Sequence, residues 1–143
     1  MTVKQMSQLY YLKLEIKNYE YELDLLHDKM ESAAAKMAFS PIMRGGLSIW
    51  PLENLVVRMV ELENRIKESM GRALELELKL RNFIHDAEDS HMRLILTLRF
   101  VDGLSWRTVA MRLGGGNTES GVRKAAYRYL KEQAQSLEEC GCV

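Results

Sequence analysis

Basic residues are concentrated near the C-terminal end of this 143-residue chain, whose formal net charge is zero. Five basic residues and a single acidic residue, Glu119, fall between Leu104 and Leu130. Arginine and lysine neutralise phosphates, and arginine also forms paired hydrogen bonds with the edge of a guanine. Solvated helices commonly carry such basic stripes, so the charge alone leaves open a plain surface or a binding site for double-stranded DNA.

The segment after residue 118 separates its apolar and charged side chains onto two faces of a helix. At about 100° per residue, a face about 140° wide collects Val122, Ala125, Ala126, Tyr129 and Leu130. The remaining circumference carries Ser120, Arg123, Lys124, Tyr127, Arg128 and Lys131. We predict that the apolar face packs onto a protein core and that the polar face meets DNA.

Two shorter helices are predicted ahead of this one. Ser90 is the predicted N-cap of a helix that is apolar on nearly every side and ends at residues 102–103. Ser105 is the predicted N-cap of the next helix. Its inward residues are Trp106, Val109, Ala110 and Leu113. A glycine turn at residues 114–117 then leads to Thr118, the predicted N-cap of the last helix, and this order is typical of a helix-turn-helix.

Residues 1–89 carry two leucine-rich heptad runs. Apolar residues alternate in steps of three and four from Leu9 to Met30 and again from Leu52 to Phe83, which is typical of coiled coils. Proline and glycine residues separate the runs, so we predict a loop at about residues 39–51 and a second helix that begins there. Because neither helix can bury its apolar stripe alone, we predict an arm that forms a homodimer through residues 9–83.

The charges beside the two apolar stripes are compatible with two pairings. An antiparallel hairpin brings Glu15 and Glu22 of the first helix toward a basic row on the second, which includes Arg58. A parallel pair of second helices from two chains places Arg58 beside Glu63. Both arrangements can coexist in a dimer of hairpins, so the sequence leaves open whether the arm helices fold back.

These patterns predict an all-α chain with two parts. The first is a long helical hairpin or coiled coil over residues 1–89, and the second is a helix-turn-helix domain over residues 90–143. The domain ends in a frayed tail that contains both cysteines, Cys140 and Cys142. A disulfide between two residues so close to the end would not connect distant parts of the chain.

The sequence predicts no catalytic site, no cofactor, no metal site and no membrane association. Its apolar runs are far shorter than the roughly 20 residues that cross a bilayer. His85 has acidic neighbours, but an exposed acidic helix end explains them without a metal. The glycines at 114–116 are not followed by the lysine and hydroxyl residue of a phosphate-binding loop. We therefore expect a protein that is not an enzyme.

The C-terminal motifs resemble region 4 of bacterial sigma factors. Within residues 99–114 one helix ends, and Gly103, Leu104 and Ser105 lead into the next. The inner side of that next helix carries a branched residue and an alanine, which are Val109 and Ala110. Residues 118–124 lie where the recognition helix of that family begins. With its coiled N-terminal half, the whole chain is similar to small phage and prophage regulators that have a sigma region 4-like C-terminus, the ArpU-like late regulators among them.

This resemblance implies a transcriptional regulator of phage or prophage genes that reads promoter DNA in the cytoplasm of a bacterial host, associated with its nucleoid. It also implies contact with host RNA polymerase. By this resemblance, the residues expected to contact bases are Ser120, Arg123, Lys124 and Tyr127. Those expected to contact the DNA backbone are Arg107, Thr118 and Arg128. Lys131 extends the same basic face. The chain departs from the usual pattern of that family at two places. Its glycine run at residues 114–116 is longer, and Thr108 stands where the family often has an acidic residue that completes the helix cap.

Two alternatives stay open from the sequence. A terminase small subunit-like protein that packages DNA also combines a helix-turn-helix with helical oligomerisation. A protein-interaction module that docks RNA polymerase without touching DNA is an alternative from a different class. Charge reversal at Arg123 and Lys124 separates the second from DNA binding, because only a DNA-binding function depends on those cations.

Overall fold

The computed structural model describes residues 1–38 and 50–140, and all of their regular secondary structure is helical. The helices are α1 (Val3–Ala38), α2 (Trp50–His85), α3 (Ser90–Leu96), α4 (Trp106–Leu113) and α5 (Glu119–Cys140). A π-helical turn, Thr97–Val101, continues α3 directly. The predicted all-α fold class is therefore confirmed.

Two sequence expectations fall partly outside the described residues. The predicted loop at about residues 39–51 lies there apart from its last two residues, which already belong to α2. Pro51 is tolerated in the first turn of α2 because the amide it lacks would have no partner within the helix. Of the predicted tail, α5 includes Cys140, whereas Cys142 lies outside the described residues.

The chain divides into two compact units. The first contains Met1–Leu12 and Ala73–Val143, and the second contains Lys13–Arg72. Both ends of the predicted arm, residues 1–12 and 73–89, thus belong to the same unit as the C-terminal helices. The division into an arm over residues 1–89 and a DNA-binding domain over residues 90–143 stays a prediction.

The second unit is an antiparallel pair formed by the adjoining parts of α1 and α2. Its core is the cluster of Leu26, Met59 and Leu62, which are buried. Tyr19, Leu23, Met30 and Leu55 are half-buried and pack against this cluster. All seven belong to the predicted heptad stripes, so the helices fold back and close their leucine stripes against each other.

An ion pair links the two helices of this hairpin. The carboxylate of Glu22 accepts two hydrogen bonds from the guanidinium of Arg58, with donor distances of 2.7 and 3.2 Å. These bonds and the charge of Glu22 raise the pKa of Arg58. Arg58 also lies 3.6 Å from Glu61 of its own helix, and its pairing with Glu63 of a second chain stays a prediction. Glu15 accepts a hydrogen bond from the hydroxyl of Tyr19 at 2.8 Å.

In the first unit, α3 and its π-helical turn form the centre of the core. Their buried residues are Met92, Ile95, Leu96, Leu98, Phe100 and Val101, whereas Leu94 is 47% exposed. The predicted N-cap, Ser90, is wrong by one residue, because the carboxylate of Asp89 accepts the amide hydrogen of His91 at 2.9 Å. Ser90 instead accepts a hydrogen bond from Arg93, which also donates to the carbonyl oxygen of Glu88. Arg93 therefore holds the turn between α2 and α3.

Helices α4 and α5 pack on this centre through the faces predicted for them. Trp106, Val109 and Ala110 of α4 are buried, and Leu113 is half-buried. Met6 and Leu9, near the beginning of α1, are fully buried in the same unit. The first unit thus contains the helices that position every candidate DNA-binding residue.

Candidate nucleic-acid interface

The turn between α4 and α5 uses three consecutive glycines. Gly114, Gly115 and Gly116 have φ angles of 64°, 63° and 77°, in the left-handed region that L side chains rarely adopt. The side-chain amide of Asn117 donates to the carbonyl oxygen of Gly114 at 2.7 Å, and its backbone amide donates to the same oxygen at 3.2 Å. The glycine run is therefore long because each of its residues needs a positive φ.

Thr118 caps α5, as predicted. Its hydroxyl oxygen accepts the amide hydrogen of Gly121 at 3.1 Å, and its carbonyl oxygen accepts that of Val122 at 3.0 Å. The amides of the first turn of a helix point along its axis, beyond its N-terminal end, and have no carbonyl partner within the helix. With its positive dipole end, the beginning of α5 is suited to a phosphate oxygen.

The burial of α5 follows the predicted separation of its faces. Val122, Ala126 and Leu130 are 3%, 0% and 4% exposed, and Ala125 and Tyr129 are half-buried. All six residues of the predicted polar face are exposed, and they are Ser120, Arg123, Lys124, Tyr127, Arg128 and Lys131. One side of α5 is therefore fixed in the core, and the polar side is open to a partner.

Tyr127 has a dual position. It is 43% exposed, yet its ring packs against Trp106 of α4 with the centroids 5.9 Å apart. Trp106 in turn meets Phe100 edge to face at 6.2 Å. Tyr127 was predicted to face bases, and this contact fixes its ring while part of the residue stays exposed.

The candidate residues outside this stack are accessible. Arg107 is exposed in the first turn of α4, and Thr118 is exposed at the end of the glycine turn. Arg107 belongs to α4 and Thr118 caps α5, and the two helices pack directly on each other through Trp106 and Tyr127. The helix pair and its cap Thr118 therefore contain all eight predicted DNA-binding residues.

The basic residues of α4 and α5 differ from those of α2 in their partners. Along α2, Arg58, Arg72 and Arg81 each lie within 4.0 Å of a glutamate. The exposed cations of the helix-turn-helix form no ion pair with any other described residue, and they are Arg107, Arg112, Arg123, Lys124, Arg128 and Lys131. The nearby acids, Glu119 and Glu132, are fewer. The cations on α4 and α5 are therefore available to an anionic partner.

Sequence reasoning missed two residues that hold the helix-turn-helix in place. The guanidinium of Arg99 lies 4.9 Å from the ring centroid of Trp106 and donates to the carbonyl oxygen of Leu104 at 2.7 Å. Tyr10 packs against Gly103, just before α4. A single arginine within an apolar run is a signal for the first, but no sequence signal connects Tyr10 to a residue far along the chain.

These two residues also line a cavity of about 230 Å³. Its other lining residues are Met6, Ser7, Tyr11, Phe100, Gly103 and Ser105. The cavity lies beside the beginning of α4 rather than on the outer face of α5. It is therefore separate from the set of exposed cations.

Residues 1–38 and 50–140 contain no group of three or more histidine, cysteine, aspartate or glutamate side chains that could hold a metal ion. None of the helices described there is both long and apolar enough to span a membrane.

Comparisons of the chain with protein-family models, with curated proteins and with solved structures found no match.

Proposed function

We propose that the protein is a sequence-specific DNA-binding transcriptional regulator of phage or prophage genes, which reads promoter DNA with α5 and dimerises through its arm. The observation that carries this proposal is the set of exposed, unpaired cations on α4 and α5. Cations held in internal ion pairs gain little from meeting a phosphate, because they must first leave a carboxylate. Unpaired cations meet phosphates without that cost and release the counterions of DNA.

The fixed position of α5 supports the same function. Its apolar side is buried, so its polar side is presented without further ordering of the helix. A helix with its side chains is about 10–12 Å across, which matches the major groove, about 12 Å wide. Ser120, Lys124, Tyr127 and Lys131 recur at steps of four, three and four, so they form one line along this side.

Each candidate residue has a distinct task in this function. Arg123 and Lys124 supply donors to base edges, where a guanine offers two acceptors. Ser120 and Tyr127 add hydroxyl groups that donate or accept. Thr118, at the beginning of α5, is the predicted backbone contact beside the free amides. Glu119 repels phosphates and is compatible with the groove only where it accepts from the amino group of a cytosine.

The remaining basic residues position the helix. Arg107 and Arg128 are the predicted contacts to the DNA backbone, with Lys131 further along the same face. Such contacts fix the register of a protein on the duplex and carry no sequence information themselves. Substituting them should therefore weaken binding to every DNA fragment by a similar factor.

Selection from a library of random duplexes tests this proposal. The wild type should enrich a defined motif, and Arg123→Glu/Lys124→Glu should lose both the motif and most of the affinity. Lys17→Glu/Lys29→Glu is the matched control, since it makes the same change in net charge at two exposed lysines of α1. This control should keep the enriched motif and bind it with nearly unchanged affinity.

Two outcomes would contradict the proposal. In the first, the wild type and Arg123→Glu/Lys124→Glu bind every duplex with the same affinity as each other. In the second, neither protein binds DNA even at low salt. In either case the protein-interaction module that docks RNA polymerase without DNA replaces the regulator. Circular dichroism of each variant at the same concentration excludes a loss of the helical fold as the cause.

A further inference from the structure

The second unit exposes a row of apolar residues on α2 that the hairpin does not use. Val56, Val57, Val60 and Met70 are 43%, 57%, 50% and 47% exposed. At about 100° per residue, Val56, Val60 and Met70 lie within one narrow stripe of α2, and Val57 lies beside it. This stripe, which we call the valine stripe, is distinct from the leucine stripe that forms the hairpin core.

Valine is an unusual choice for a solvent-exposed helix face. Its branched side chain loses rotamer freedom in a helix, and it costs about 0.5 kcal/mol per residue relative to alanine. Three such residues within five positions weaken α2 and bury little within the single chain. Leucine, the residue type of exposed Leu14 and Leu25 on α1, carries no such cost in a helix. The valine stripe is therefore better explained by a surface that covers it.

Two opposite charges lie in the middle of the valine stripe. Glu63 and Lys67 are exposed and separated by one turn, an arrangement that favours an ion pair within the helix. Neither of them forms an ion pair with another residue in the part of the chain that the structure describes. Both charges are therefore available to a partner that covers the stripe.

The valine stripe is complementary to itself when a second copy runs in the opposite direction. A two-fold axis at the level of residue 65 places Val60 opposite Met70 of the other copy and Glu63 opposite its Lys67. The symmetry forms each contact twice, as in any two-fold interface between identical chains. A parallel second copy would instead place Glu63 opposite Glu63 and Lys67 opposite Lys67, which is repulsive.

We propose that a second copy of this chain packs antiparallel along the valine stripe of α2, so that the protein is a dimer of hairpins. The hairpin core stays within each chain, and the interface uses the stripe that the core leaves exposed. This inference deepens the dimerisation in the proposed function, because it names the surface. Its test needs no DNA, so its failure is distinguishable from a failure of DNA binding.

The mass of the full-length protein in solution tests the interface. Analytical ultracentrifugation over a wide range of concentration should give twice the 16.5 kDa of one chain. Val56→Glu/Val60→Glu should weaken the association about a hundredfold or more, since carboxylates lose their hydration in an apolar contact. Leu14→Glu/Leu25→Glu, the matched control on exposed apolar residues of α1, should stay dimeric.

A charge exchange tests the antiparallel orientation without placing a charge in the apolar contacts. Glu63→Lys alone and Lys67→Glu alone each put like charges opposite each other twice, and each should weaken the dimer about tenfold. The double variant Glu63→Lys/Lys67→Glu restores opposite charges across the interface and should recover the dimer. Circular dichroism of all variants checks that α2 remains helical.

Three results would overturn the proposal. The first is a wild-type protein that remains a monomer at every concentration. The second is a dimer that survives Val56→Glu/Val60→Glu and dissociates in the α1 control, which would move the interface to α1. The third is a double charge variant that dissociates as readily as the single ones.

Discussion

At the scale of single residues, two glycines of the helix-turn-helix have similar backbones and different surroundings. Gly103 has a φ of 71°, and a Cβ added to it would lie 3.0 Å from Cδ2 of Tyr10. Gly115 has a φ of 63°, and a Cβ added there would have no heavy atom within 4 Å. Gly103 is therefore required by both its φ and a close contact, and Gly115 by its φ alone.

Alanine substitutions should separate these two requirements. A left-handed φ costs an L residue about 1–2 kcal/mol, so Gly115→Ala should lower the free energy of unfolding by about that amount. Gly103→Ala should lower it by about 1 kcal/mol more, because the methyl group also displaces the ring of Tyr10. Urea unfolding measures both values, and equal losses would show that Tyr10 moves aside at no cost.

Tyr129 makes the stability sensitive to alkaline pH. Its burial raises its pKa above the ordinary 10.0, and the charges of Glu88, Asp86 and Asp89 raise it further. A raised pKa in the folded state means that the stabilisation is complete below pH 10 and is lost as the pH rises through the folded value. The free energy of unfolding should therefore fall above about pH 10, and less steeply in Tyr129→Phe. Equal slopes for the two proteins would contradict this origin.

At the scale of the elements, helix boundaries followed from local residues where one cap dominated. Ser105 and Thr118 were predicted as caps from the sequence, and both accept an amide hydrogen within the first turn of their helices. Asp89 and Ser90 are neighbouring residues with equal ability to cap, so the sequence could not decide between them. The π-helical turn was not predicted either, because this helix is apolar on nearly every side, so a register shift of one residue leaves no break in its pattern.

The cap of α5 can be tested by a matched pair of substitutions. Thr118→Ala should lower the free energy of unfolding by about 1 kcal/mol, because the amide of Gly121 loses its acceptor. Thr118→Ser keeps the hydroxyl and should stay within a few tenths of a kcal/mol of the wild type. Chemical unfolding followed by circular dichroism gives both values. A loss of equal size in the two variants would mean that the threonine methyl group, and not the hydroxyl, stabilises α5.

The hairpin should depend on its small core more than on its length. Leu62 is fully buried in the cluster with Leu26 and Met59, so Leu62→Ala should lower the free energy of unfolding by about 2–5 kcal/mol. Leu14→Ala is the control, since Leu14 is 39% exposed and should lose far less. Thermal unfolding of the two variants makes the comparison. Similar losses would mean that the cluster does not hold the hairpin.

At the scale of the whole molecule, a net charge of zero results from two unlike halves. Residues 1–89 carry 12 basic and 15 acidic residues, and residues 90–143 carry 8 and 5. The sequence predicted this asymmetry, the two long arm helices and the faces of α5, because each depends on composition or on a local period. It could not predict which cations are paired, since the pairing of Arg58 with Glu22 depends on how α1 and α2 fold together.

The long-range contacts of the first unit were beyond the sequence for the same reason. Tyr10 contacts Gly103 although the two residues are far apart in the sequence. Arg99 stacks on Trp106 because the turn between their helices brings the two side chains together. The unpaired state of the cations on α4 and α5 belongs to this class of property. It is the observation on which the proposed function depends.

The salt dependence of DNA binding tests the central claim most directly. With about five phosphate contacts per helix-turn-helix, the logarithm of the affinity for the selected duplex should fall with the logarithm of salt concentration at a slope of about −4 to −5 per module. Arg107→Ala/Arg128→Ala should make that slope shallower by about 0.9 for each lost contact, and Lys17→Ala/Lys29→Ala should leave it unchanged. A slope near zero, or the same slope in all three proteins, would contradict the claim that the unpaired cations of α4 and α5 bind the DNA backbone.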